Sequence, residues 1–140
     1  MVEQISVFLE NRAGQLSEIT GILYENNIDI RALYISETAD YGVLRIIVTE
    51  PEKALKALSA NGMVVSSVAV TAISVPDEPG GLGKFLTILA GKGIDISYMY
   101  SVFGHSDEGA HMVFKVQDVS ALEDVLKENG IKSETIDDLK

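Results

Sequence analysis

The chain has 140 residues and a formal net charge of −10, with 21 Asp and Glu against 11 Lys and Arg. That balance argues against a nucleic-acid binder, because phosphate recognition needs a cationic face, and against docking on anionic lipid. Cys is absent, which removes disulfides, thiolate metal sites and Cys nucleophiles, while 46% hydrophobic and 23% charged residues make a globular composition, long enough for one ordinary domain or two very small ones.

Ile5, Val7 and Leu9 alternate with polar residues and predict a half-buried first strand. A Gly-containing turn follows, and then Leu16, Ile19, Ile22 and Leu23 recur at helical spacing. Asn26-Asn27 ends that helix, because Asn tolerates left-handed backbone. Ile28 to Ser36 reads as a second strand, Ala39-Asp40-Tyr41-Gly42 as a hairpin turn and Val43 to Thr49 as a third strand. Thr49 and Glu52 have capping-box spacing ahead of a second helix, with Pro51 early and Leu55 and Leu58 facing inward; Asn61-Gly62 ends it. Between Met63 and Val75 a fourth strand and the next first strand nearly run together, and Thr71, Ile73 and Val75 take the places of Ile5, Val7 and Leu9. The helical stripe returns as Leu82, Phe85, Ile88 and Leu89 and stops at Gly91-Lys92-Gly93. Ile94 to Phe103 and Ala110 to Val116 read as strands around a loop from Gly104 to Gly109. Ser120 and Glu123 offer capping-box spacing for a last helix carrying Leu122, Val125 and Leu126, which Asn129-Gly130 ends before a final strand. The acidic stretch from Glu134 to Lys140 reads as a frayed end.

The chain is written twice. From Gly14 to Tyr34, eight of 21 positions are identical to those 66 residues later: Gly14, Leu16, Ile22, Leu23, Ile28, Asp29, Ile30 and Tyr34. The match resumes at an offset of 68, where Asn61-Gly62 corresponds to Asn129-Gly130. An internal repeat outranks every local signal. The order βαββαβ, met twice, predicts an α+β protein of two ferredoxin-like domains, 1–68 and 69–140, with antiparallel sheets packed together edge to edge.

The repeated strand, turn and helix start has its own chemistry. The first amides of a helix lack internal partners and carry partial positive charge, so a carboxylate placed there is stabilised. Gly14 and Gly80-Gly81 leave room for close approach. The same turn also serves simply as a corner, Gly being the ordinary residue for it. Neither Gly-x-Gly-x-x-Gly nor a P-loop is present, so nucleotide phosphate binding has no support.

Arg12-Ala13-Gly14-Gln15-Leu16, an amphipathic helix and Asn27-Ile28-Asp29-Ile30 resemble an ACT domain, and Glu78-Pro79-Gly80-Gly81-Leu82 through Gly93-Ile94-Asp95-Ile96 resembles another. The usual turn of that family, Asp-Arg-Pro-Gly-x-Leu, is altered here at Asn11, Ala13 and Glu78. The resemblance implies a module that senses small molecules, most often amino acids, with ligand held where the turn and helix start of one domain meet the second strand of a neighbour. Carried over by position, it names Asn11, Arg12, Ala13, Gly14, Gln15 and Leu16 with Asp29 and Ile30, and Asp77, Glu78, Pro79, Gly80, Gly81 and Leu82 with Asp95 and Ile96. Amides at Gln15-Leu16 or Gly81-Leu82 would take an α-carboxylate, and Asp29, Asp95, Asp77 or a backbone carbonyl the α-ammonium. The two strand aspartates equally fit solvated residues opening a strand. The negative charge disfavours acidic ligands and favours neutral or basic ones, histidine and the branched-chain set included.

The two copies fill the chain, so a free amino acid sensor without catalytic activity, cofactor or metal is expected. The alternative is a non-catalytic regulatory subunit acting through contact with an enzyme of amino-acid biosynthesis. Exposed sheet edges predict a homodimer. The lack of a basic leader and of an apolar run near 20 residues predicts a cytoplasmic protein without a membrane span. His105 and His111 flank Asp107 and Glu108, yet nothing in the spacing aims them at one metal. Ser101, His105 and Asp107 are neighbours in sequence, but a loop does not preorganise a triad. Tyr34 and Tyr100 share one register, with Tyr98 and Met99 beside the second, and suit either a pocket lining or packing.

Overall fold

The computed structural model describes residues 1–10, 12–37, 41–104 and 109–140. Asn11, the Ala39-Asp40 part of the first hairpin turn, and His105, Ser106, Asp107 and Glu108 lie outside the described residues. The elements are β1 (Val2–Leu9), α1 (Gln15–Glu25), β2 (Ile30–Glu37), β3 (Gly42–Val48), α2 (Pro51–Ala60), β4 (Val65–Val75), α3 (Gly81–Gly91), β5 (Ile96–Ser101), β6 (Ala110–Val116), α4 (Val119–Glu128) and a single-turn α5 (Ile136–Leu139). The chain divides into two compact units, Glu3–Ala69 with Lys140, and Val70–Leu139 with Met1–Val2. β4 contributes its opening residues to the first unit and the remainder to the second.

In the first unit β3 lies between β1 and β2, antiparallel to both, with Ile5 opposite Ile46 and Leu33 opposite Ile46. Phe8 donates its amide to Val64 O at 3.0 Å, which brings the approach to β4 against β1. Alternation sends Ile5, Val7, Leu44, Ile46 and Val48 toward α1 and α2, where Ile19, Ile22, Leu23, Ala54 and Leu58 complete one core. Leu16 does not join that stripe. It is 42% exposed, and the buried residue of the first turn is Gln15 at 5%, four positions before Ile19 and on the same helical face.

The second unit repeats this with β6 between β4 and β5, with Ile73 opposite Met112 and Tyr100 opposite Val113. Phe85 of α3 meets Phe114 of β6 with ring centroids 5.4 Å apart, inside a core that Leu89, Leu122, Val125 and Leu126 fill.

All four long helices end in one way. Asn27, Gly62, Gly93 and Gly130 have positive φ, and the next residue, Ile28, Met63, Ile94 or Ile131, donates its amide five residues back, to Leu23, Leu58, Leu89 or Leu126. That is a Schellman closure with an apolar residue turning in behind it. The helix starts differ from expectation. Thr49 does not cap α2; its hydroxyl accepts from the Asp29 amide at 3.1 Å. In α4 the cap is Asp118, which accepts from Ala121 N at 3.0 Å, and Ser120 lies inside the helix. Pro51 does stand in the first turn of α2.

The last strand of the second unit is also revised, because residues 131–135 form no regular strand. Nor is the tail frayed: Glu134 is 6% and Leu139 3% exposed. Asp138 reaches back over α5 to accept from the Thr135 amide at 2.8 Å and its hydroxyl at 3.1 Å, the carboxylate half of the box that closes a helix start. The Thr135 amide, then its hydroxyl, hold the Asp138 carboxyl below the usual carboxylate range.

Two outcomes are expected. Phe114→Ala empties the centre of the second core and costs about 3–5 kcal/mol, read from the denaturant midpoint. A lowered folded pKa stabilises above the usual carboxylate range and ceases to do so as pH falls through it. Acidification therefore releases the Thr135 amide, seen by NMR as a pH-dependent change in its chemical shift, and Asp138→Asn abolishes that acid step.

Candidate functional site

Two strand–turn–helix corners occupy equivalent places. α1 starts after Gly14 at φ 86° and ψ −6°, and α3 after Gly80 at φ 84° and ψ −5°. Both angles fall in the left-handed region, where Gly is favoured because it lacks a Cβ. No side chain caps either helix. Among the described residues the Leu16 and Ser17 amides of one corner, and the Leu82 and Gly83 amides of the other, have no hydrogen-bond partner. These are the orphan donors of a helix N-terminus.

The side chains of the two corners differ. In the first, the Glu10 amide donates to Gln15 Oε1 at 2.6 Å, and Gln15 Nε2 lies 3.9 Å from Met63 Sδ. Arg12 spans the turn, 3.2 Å from Glu10 and 2.8 Å from Glu18. The Glu18 hydrogen bond, then that to Glu10, raise the guanidinium pKa above its ordinary value, so Arg12 is charged throughout the working range. Ala13, Gly14 and Leu16 are exposed. Neither Glu10 nor Glu18 was named by sequence reasoning; the available signal was Arg12 standing between two acids.

In the second corner position 76, the counterpart of 10, is Pro, which has no amide to satisfy. The counterpart of Gln15 is Gly81, where a Cβ would run into the Pro76 carbonyl. The turn is closed by its backbone, Glu78 N to Pro76 O and Gly81 N to Glu78 O, each at 3.0 Å. Asp77, Glu78, Pro79 and Gly80 are exposed and Leu82 is half-buried.

Asp29 and Asp95 stand elsewhere. α1 has 11 residues, about 16 Å at 1.5 Å each, and separates Gly14 from Asp29 within the unit. One small ligand therefore does not reach both from the same module. The Asp29 carboxylate pairs with Arg31 at 3.1 Å beside a surface hollow of about 560 Å³ lined by Tyr24, Glu25, Asn27 and Ile28. Asp95 lines a smaller hollow of about 250 Å³ with Lys92, Gln117 and Asp118. Ile30 and Ile96, the neighbours of these aspartates, are half-buried.

His111 is 8% exposed, and its Nδ1 lies 2.8 Å from Glu134 Oε1. That partner was not foreseen, because it stands 23 residues away on a stretch read as frayed. Among the described residues no cluster of three His, Asp or Glu side chains is placed to hold a metal ion, and no helix is long and apolar enough to cross a membrane. Tyr34 lies under the Arg45 guanidinium at 5.9 Å, and Tyr100, 8% exposed, stacks on Tyr98 at 6.5 Å.

The corner chemistry separates two variants. Gln15→Ala orphans the Glu10 amide and costs about 1–3 kcal/mol. Gly83→Ala meets open space and, inside a helix, adds about 0.5–1 kcal/mol. Chemical denaturation of each variant checks both signs.

A family profile for the ACT domain pair matches residues 1–139. Among solved structures, protein BT0572 from Bacteroides thetaiotaomicron is 40% identical, with a TM-score of 0.89 over 99% of this chain and 94% of that one. The regulatory subunit of aspartate kinase from Thermus thermophilus, in its ligand-free form, is 16% identical with a TM-score of 0.63, over 91% of this chain and 90% of that one. The aspartokinase alpha and beta subunits give 15% identity and 0.56, over 89% and 92%. These last two share the fold alone. No curated protein matches the chain. With that profile running over nearly its whole length, and with two βαββ units built alike, the chain belongs to the family of ACT domain pairs.

Proposed function

We propose that this protein binds a free amino acid reversibly, without chemical turnover, and passes the bound state on as a regulatory signal. The observation that carries this reading is the repeated corner, where a left-handed Gly places uncapped helix amides beside exposed turn residues. Those amides suit an α-carboxylate. Exposed acids beside the second corner, Asp77 and Glu78, suit an α-ammonium. A sister ACT module completing the pocket follows the arrangement that the family resemblance implies, and a homodimer belongs to the same proposal. The net charge of −10 favours neutral or basic side chains over acidic ones.

A second reading has support from the first corner, where Arg12 already pairs with Glu18 across the helix start. There the chain would act through contact with a metabolic enzyme, as the names of the aspartate kinase regulatory subunits suggest for those proteins.

Thermal unfolding with each common amino acid at millimolar concentration decides between them. A ligand at a hundred times its Kd stabilises by about 2.7 kcal/mol, or roughly 5–10 °C for a chain of this size. Histidine or a branched-chain amino acid should shift the transition, and aspartate and glutamate should shift it less. If every amino acid leaves the transition unmoved, the sensing reading fails and the contact-subunit reading stands.

A further inference from the structure

The two units match in strand register at their last segment but not in what holds it. In the first, Phe8 bonds Val64. Offsets of 66 and 68 carry that pair to Ser74 and Lys132, and the observed bond, Glu134 N to Ala72 O at 2.7 Å, lies two residues along both segments. The register is thus kept while regular strand is lost over 131–135.

In place of a ladder the second unit has a polar anchor. His111 and Glu134, with side chains 9% and 8% exposed, meet at 2.8 Å. Their counterparts in the first unit are Val43 and Ser66, so the fold itself does not require the pair. Around it, Met1 donates its terminal ammonium to Ser133 Oγ at 3.3 Å, Asp138 closes the Thr135 turn, and Leu139 is 3% exposed. A hollow of about 370 Å³, lined by Ser74, Gly130, Ile131, Lys132, Glu134 and Asp138, lies alongside.

We infer that residues 131–139 form a clasp, latched on the second unit by the buried His111–Glu134 pair, which opens without unfolding the core of that unit. Breaking a buried polar pair costs more than breaking an exposed one, so the latch holds in one geometry. The segment is anchored by Leu139 and by Ile131 against the core but has no regular strand, and such segments open locally, below the free energy of global unfolding. Opening strips Ala72 of its partner and uncovers the polar atoms of His111 and Glu134 along the edge of β4.

Hydrogen exchange followed by mass spectrometry on the full chain tests this. Glu134→Ala should speed exchange across 131–140 by about ten-fold or more while α3 and β6 keep their protection. The double variant His111→Val with Glu134→Ser, which installs the residues of the first copy, should do the same. Faster exchange throughout 70–139 in both variants would make the pair a support of the core and overturn the clasp. Unchanged exchange in both would overturn it too. So would a rise in the single variant alone, because the imidazole left without its carboxylate, rather than a lost latch, would then be its cause.

Discussion

The ends of the four long helices, and the starts of two of them, depend on a few residues in the left-handed backbone region. Asn27, Gly62, Gly93 and Gly130 end the four long helices, and Gly14 and Gly80 begin two of them. A left-handed residue reverses the chain in one step, and the aliphatic residue after it is driven inward. Ile28 and Met63, at 5% and 8% exposure, enter the first core by this route. Burial of an aliphatic side chain contributes about 1.5–3 kcal/mol, more than a Gly in a turn forfeits in conformational entropy, about 0.5–1 kcal/mol. Sterics at one end and burial at the other fix helix length: α1 and α3 both have 11 residues.

That constraint acts on backbone and leaves side chains free. The corners agree within 2° in φ and 1° in ψ, yet one is laced by Gln15, Arg12, Glu10 and Glu18 and the other by backbone alone. The difference begins at position 10 against position 76. An amide at Glu10 needs an acceptor, and Gln15 supplies one. Pro76 has none to satisfy, and its carbonyl occupies the space that a side chain at 81 would need. Two sequences thus solve one steric problem in incompatible ways, and a swap of either residue alone would leave a donor unpaired or a clash.

Much of this was legible beforehand because it is local or repeated. The offset of 66, the strand alternation, the Asn and Gly helix ends and the βαββ order all follow from short-range pattern. What escaped was decided by partners distant in sequence. The Thr49 hydroxyl was drawn to Asp29, 20 residues away, and could not cap α2. Asp118 and Ser120 are both cap formers, and helical periodicity does not choose between residues two apart. Leu16, not Gln15, was placed in the stripe, because periodicity does not see a side-chain amide spent on a strand end. The tail read as frayed because its acids are uninformative until His111 is brought to Glu134 by the fold.

The same distinction bears on what a ligand would meet. At the first corner a carboxylate, that of Glu18, already stands 2.8 Å from Arg12, so an incoming α-carboxylate would have to compete with an internal one. Both partners are about half exposed, and pairs open to solvent are screened and weakly held, so such competition is chemically reasonable. At the second corner no ion pair spans the turn among the described residues, and a carboxylate would be attracted by the Leu82 and Gly83 amides with Lys84 in the same helical turn, against the repulsion of Asp77 and Glu78. A zwitterion resolves that conflict where a simple anion does not, since its ammonium answers the two acids while its carboxylate meets the amides. If the proposed function holds, the charge pattern of the second corner would favour ligands carrying both signs a few ångströms apart, as an α-amino acid does.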